Sequence, residues 1–191
     1  MAISTRLITY EQSLAMPENK FEEIVDGEIR HMPPPSRVHA LLIERMAEIL
    51  REQLDRHTIR VITSPFGLGI QRNPYLSYRV PDLALYRAID LDRERDHYIW
   101  SAPELLVECL SPANRKGSIE KLLADYARIS VPEVWLLYPL ERRLDSHALE
   151  AGAFNPRPTA STEAIRTLRF PHVSINLEDL WKLLPAESLE S

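Results

Sequence analysis

Two carboxylates stand where a folded chain seldom leaves a charge. Asp82 lies in Val80-Pro81-Asp82-Leu83-Ala84-Leu85, and Glu108 lies in Leu105-Leu106-Val107-Glu108-Cys109-Leu110. Each is the one charged residue of a run that reads as a buried strand. An ionised carboxylate there is costly unless it is paired or bound to a metal. One reading is that Arg side chains or backbone donors satisfy both acids. The other is that they converge on one spot and hold a hard divalent cation, which removes their mutual repulsion. Mg²⁺ takes one or two carboxylates and completes its shell with water. Such an ion would orient a phosphodiester, activate a water and stabilise the leaving oxygen. A nearby lysine would neutralise charge on the pentavalent phosphate or help to deprotonate the water. Of the 23 basic residues only Lys20, Lys116, Lys121 and Lys182 are lysine, the rest being arginine. Lys116 and Lys121 follow Glu108 closely and are the candidates.

The surrounding elements must bring these residues together. Leu105 to Leu110 and Val134 to Tyr138 read as central strands covered on both faces. Between them Ile119, Leu122, Leu123, Tyr126 and Ile129 recur at helical spacing. The three segments form a β-α-β unit, which predicts a parallel crossover. Ser111-Pro112-Ala113-Asn114 is a turn. Upstream, Tyr78 to Tyr86 is read as one strand carrying Asp82, and Arg87 to Asp96 as a charged loop. Ile59 to Thr63 and Gly67 to Gln71 are two further strands. A long helix over about Ser36 to Arg56 follows Pro33-Pro34-Pro35. Phe21 to Val25 and Glu28 to Met32 form a hairpin about Asp26-Gly27, a type I′ signal. Thr9-Tyr10-Glu11-Gln12 reads as a capping box that starts a short helix. Toward the end, Leu144 to Leu149 is a strand, 150–163 a polar loop with Pro156 and Pro158, Ile165 to Phe170 a strand and Leu177 to Leu184 a short helix. The class is α/β or α+β, a mixed central sheet flanked by helices, with an N-terminal helix and hairpin.

Composition sets the outer limits. The 191 residues suit a single domain, 1–191, and 45% hydrophobic with 27% charged is ordinary for a globular chain. The net charge of -5 is not that of a dedicated DNA-coating protein, although a local patch suffices for phosphate contacts. The lone Cys109 excludes a disulfide within the chain and any site needing two cysteines. Gly67-Leu68-Gly69 does not continue to a third glycine, and no phosphate-cradling G-x-x-x-x-G-K exists. There is no apolar run of membrane-spanning length and no recognisable leader, so a cytoplasmic protein without membrane contact is expected.

The order of several short segments then carries a resemblance. Glu23-Ile24-Val25-Asp26-Gly27-Glu28 precedes Met32-Pro33-Pro34-Pro35-Ser36 and His39. Val80-Pro81-Asp82, Val107-Glu108-Cys109-Leu110-Ser111-Pro112, Tyr126 and Val131-Pro132-Glu133-Val134-Trp135 follow. Over about residues 8–185 this resembles the Uma-type family of restriction-endonuclease-like proteins, which is bacterial and has the PD-(D/E)XK nuclease fold. The resemblance implies that Asp82 is the acid of the Pro-Asp pair and Glu108 the second metal-binding acid. It also implies that Glu23 and His39 line the site. The implied cofactor is Mg²⁺ or Mn²⁺, and the implied activity is DNA endonuclease.

The lysine departs from that pattern. The simple motif puts Lys two residues after Glu108, where Leu110 stands. The family position four residues before the Tyr is Leu122, one residue from Lys121. On a helical wheel Lys121 points about 140° from the apolar face, toward solvent. Lys116, in the preceding loop, is the one expected to reach the strand ends. Strand alternation turns the Cys109 side chain away from Glu108, leaving its carbonyl as the metal candidate and its thiol as core filler. Cleavage of both strands would use a symmetric homodimer. Two other functions stay open: an inactive relative that binds nucleic acid or protein, and a metal-dependent hydrolase of a smaller phosphate substrate.

Overall fold

Tertiary structure is given by a computed structural model, described over residues 7–17, 19, 21–111, 116–160, 164–182 and 184. The capping box forms as read. Thr9 Oγ1 accepts from the Gln12 N–H at 3.3 Å, and the Gln12 side chain accepts from the Thr9 N–H at 3.0 Å, opening α1 (Tyr10–Ser13). The hairpin β1 (Glu22–Val25) and β2 (Glu28–His31) turns through Asp26 at φ 52° and Gly27 at φ 83°. Positive φ at both central residues is what a type I′ turn demands, and glycine meets it at no steric cost. Ser36 caps α2 (Arg37–Gln53) by accepting from the His39 N–H at 3.2 Å, and Leu42, Met46 and Leu50 form its buried stripe.

The chain continues through β3 (Ile59–Thr63), β4 (Leu68–Gln71), β5 (Ser77–Arg79), β6 (Leu83–Arg87), α3 (Ala88–Leu91), β7 (Leu105–Cys109) and α4 (Lys116–Arg128). It ends in β8 (Glu133–Tyr138), β9 (Arg143–Glu150), β10 (Ala153–Ala160), β11 (Ala164–Arg166), β12 (Ser174–Asn176) and α5 (Leu177–Trp181). Six strands make the central sheet, in the order β10-β9-β8-β7-β6-β3. Only β7 and β8, joined through α4, run parallel in it. Its inner strands are buried on both faces. Leu83, Leu85, Leu105, Val107 and Trp135 join the core with α2 and α5, while Ala84, Tyr86, Leu106 and Val134 join the core with Tyr126 of α4. A second sheet, β2-β1-β5-β4, carries the hairpin. Gly67 and Gly69 run beneath the rings of Tyr98 and Trp100, where a Cβ on either would collide. That G-x-G is therefore a close-packing device.

Four expectations from sequence are corrected. The run Tyr78 to Tyr86 is two strands in two sheets, β5 and β6, because Pro81 has no N–H for a ladder. The charged stretch after Arg87 begins with α3. The polar loop over 150–163 is largely β10. A tight turn at Ala151 (φ 50°) and Gly152 (φ 83°) folds it back on β9, and as the outermost strand of its sheet it tolerates Pro156. The last strand stops at Arg166 and pairs with β12. The turn read at 111–114 falls mostly outside the described residues.

Candidate active site

The register of β6 and β7 builds the site. Leu83 pairs with Val107, so one step further out Asp82 lies opposite Glu108. By alternation both belong to the sheet face of Ala84 and Leu106, over which α4 lies. The two acids thus meet at one end of the central sheet.

Each carboxylate is held by the chain. The Asp82 Oδ2 accepts the Cys109 N–H at 2.8 Å, and its Oδ1 lies 2.8 Å from the His39 Nε2. The Tyr126 hydroxyl donates to the Glu108 Oε1. Burial, and then the negative charge of Asp82, push the Glu108 carboxyl well above the usual carboxylate range. Its hydrogen bond from Tyr126 and the nearby Arg79 pull the other way. Glu23 is close by. Its Oε1 accepts the Val80 N–H at 2.9 Å, and its Oε2 accepts from the Arg79 Nη1 at 2.8 Å.

Arg79 was not among the residues singled out from sequence. Its side chain is only 7% exposed, and it also donates to the Asp125 Oδ2 from Nε at 3.0 Å and from Nη2 at 2.6 Å. Asp125 sits one residue before Tyr126, on the stripe that includes Leu122. A charge at that spacing was the available signal. Two carboxylates, Glu23 and Asp125, therefore bond one guanidinium, and Glu108 with its neighbour Asp82 stands close to this cluster, four acids to one arginine. When all are ionised the group has three negative charges in excess.

Glu23, His39, Arg79, Asp82 and Glu108 line a cleft of about 1040 Å³. Met32 and the three prolines before Ser36 line one side of it, and Ser118, Ile119 and Leu122 of α4 line another. Of the residues expected at the site, Glu23, His39, Asp82, Glu108 and Cys109 come together. The Cys109 thiol itself joins the core with α2, where burial pushes it up. The lysines stand apart. Lys121 is not free in solvent as the helical wheel suggests. It donates to the Asp26 Oδ2 at 2.7 Å and ties α4 to the hairpin turn. Lys116 is not in the preceding loop as expected but is the first residue of α4, and its side chain is 91% exposed, with Glu120 at 3.9 Å. Neither lines the cleft. Lys182, just past the end of α5, pairs with Asp179 at 3.0 Å, and Lys20 lies outside the described residues.

Among the described residues no group of three or more His, Cys, Asp or Glu is arranged to hold a metal ion. Asp82 and Glu108 offer two oxygen donors instead, the set that suits a hydrated hard cation better than zinc. The excess negative charge, and a Glu108 carboxyl that burial discourages from ionising, are what such a cation would offset. The residues fit a divalent ion on those grounds.

Comparison with known proteins bears on the family and the fold. The sequence profile of a family described as "Uma2: Putative restriction endonuclease" matches residues 9–178. No curated protein matches significantly. Among solved structures, a crystal structure described as a putative nuclease belonging to DUF820, from Anabaena variabilis, superposes with a TM-score of 0.75. It is 17% identical, over 92% of this chain and 98% of that one. At that identity the likeness speaks for the fold. No helix among the described residues is long and apolar enough to cross a membrane.

Proposed function

The chain belongs to the Uma2 family of putative restriction endonucleases, and we propose that it is a divalent-metal-dependent endonuclease hydrolysing phosphodiester bonds of DNA. The observation that carries this reading is the meeting of Asp82 and Glu108, ion-paired with no arginine among the described residues, in an open cleft. Restriction-endonuclease-like proteins generally use divalent metals, and Mg²⁺ or Mn²⁺ matches the oxygen donors present.

Asp82 and Glu108 would hold the ion, with the Cys109 carbonyl as a third oxygen. When bound, such an ion supplies charge neutralisation at the phosphate and acidification of water. The chain's own residues prepare the acids. The Cys109 N–H and His39 fix the Asp82 carboxylate in one orientation, and Tyr126 fixes Glu108. Ligands oriented by such partners bind better than floppy ones. Arg79 supplies a positive charge that cannot be lost and anchors Glu23 in the cleft floor. Lys121 is committed to Asp26. Of the two candidate lysines that leaves Lys116, exposed at the start of α4 and outside the cleft lining, to approach a substrate phosphate. Cutting both strands with one such site per chain takes two copies, related by a twofold axis.

A second reading, a nucleic-acid-binding protein that does not cut, is favoured by one observation: no lysine lines the described cleft. Incubation with supercoiled plasmid separates the two. The nuclease reading expects nicking with Mn²⁺, none with EDTA, and none above background from Asp82→Asn. Plasmid retained in a gel but intact with every divalent ion would establish the second.

A further inference from the structure

We infer that Arg30 and Arg37, at the two ends of one cleft wall, clamp backbone phosphates of a DNA strand on either side of the scissile one. The inference rests on the endonuclease reading and assigns the substrate contacts which that reading leaves open. A cleft floored with carboxylates repels a polyanion except where a metal sits, so the flanking phosphates require cations above that floor.

Arg30 pairs with Glu23 across the β1–β2 hairpin, so the two side chains share a face of the hairpin. Glu23 is already spent on Arg79 and the Val80 N–H. Arg37 opens α2, whose first turn contains no acid. A cation there opposes the helix dipole, and a bound phosphate reverses that cost. Both arginines line the cleft and are exposed, and among the described residues neither forms an ion pair. Several other arginines do otherwise: Arg45, Arg72, Arg79, Arg87, Arg143 and Arg169 all meet carboxylates.

The eight residues from Arg30 to Arg37 include Pro33, Pro34 and Pro35, each with a fixed φ, so this wall is stiff. At full extension it spans about 25 Å, the length of several nucleotides. A polynucleotide can engage both arginines, whereas a single nucleotide phosphate has one anion to offer. Guanidinium forks suit phosphate oxygens bidentately, and the apolar Met32 and prolines between them suit the sugar faces.

The test is anisotropy of a fluorescein-labelled 20-base-pair duplex bound to the full chain in Ca²⁺ at several salt concentrations. Arg30→Ala and Arg37→Ala are expected to lower the slope of log K against log salt by about 0.9 each, and the double variant by about 1.8. Arg166→Ala, an exposed arginine on β11, is expected to leave the slope unchanged. Both clamp positions are exposed, so the variants should melt with the wild type. Wild-type binding whose slope survives the double variant, or falls equally in Arg166→Ala, would overturn the clamp and spare the nuclease reading. No binding of duplex by the wild type would overturn both.

Discussion

Arg79→Ala is expected to be the most destabilising single change at the site. The side chain is 7% exposed and bonded to Glu23 and Asp125, whose side chains are 11% and 4% exposed. Removing it leaves two carboxylates in the interior with no counter-charge. Breaking a buried ion pair from one side costs about 3–5 kcal/mol, chiefly the penalty of the orphaned charge. For a chain of this size each kcal/mol lowers Tm by about 2–4 °C, so the fall should be about 6–20 °C. The loss should centre on Asp125, because Glu23 keeps the Val80 N–H while Asp125 has no second side-chain donor among the described residues. The double variant Arg79→Ala/Asp125→Asn exchanges the stranded charge for a neutral amide and should recover more than half of the loss. Thermal denaturation followed by circular dichroism on the four proteins of that cycle measures the coupling. A Tm within about 2 °C of wild type for Arg79→Ala, or no recovery in the double variant, would refute the buried triad.

Glu108→Gln should raise Tm at neutral pH, since the folded state holds this carboxyl above its unfolded value. The stability linked to Glu108 is full below the ordinary carboxylate range and is lost as pH rises through the raised folded value. The advantage of the Gln variant should therefore grow with pH and vanish near pH 4. A pH-independent difference would speak against the raised carboxyl. Mg²⁺ should raise the Tm of the wild type and leave Glu108→Gln unmoved, because only the wild type offers both ligands. Equal stabilisation would place the ion elsewhere. Lys121→Ala should cost at most about 1 kcal/mol, as a half-exposed pair, and nick plasmid at wild-type rates, whereas Lys116→Ala should slow nicking without touching Tm. The opposite pattern would assign the catalytic cation to Lys121.

Much of this site is legible in the sequence because its signals are local. An acid alone in an apolar run marks Asp82 and Glu108, Asp26-Gly27 marks the hairpin, and the stripe through Tyr126 marks the crossover helix. What is not legible depends on neighbours distant along the chain. Nothing within Tyr78 to Tyr86 says that its two halves belong to different sheets, beyond the missing N–H of Pro81. The prolines of β10 mimic a loop, since only the topology reveals that this strand has an open edge. The helical wheel turns Lys121 away from the apolar face toward solvent, yet it cannot show that Asp26 of the hairpin lies on that side. Arg79 reads as an ordinary strand-end charge until Glu23, 56 residues away, and Asp125, 46 residues away, close around it.

The central claim is that Asp82 and Glu108 share one divalent ion. A crystal soaked in Mn²⁺ and measured near the manganese absorption edge tests it directly. An anomalous peak within about 2.0–2.4 Å of oxygens from both side chains is expected. A fully occupied peak elsewhere, or none at a concentration that supports cleavage, would contradict it.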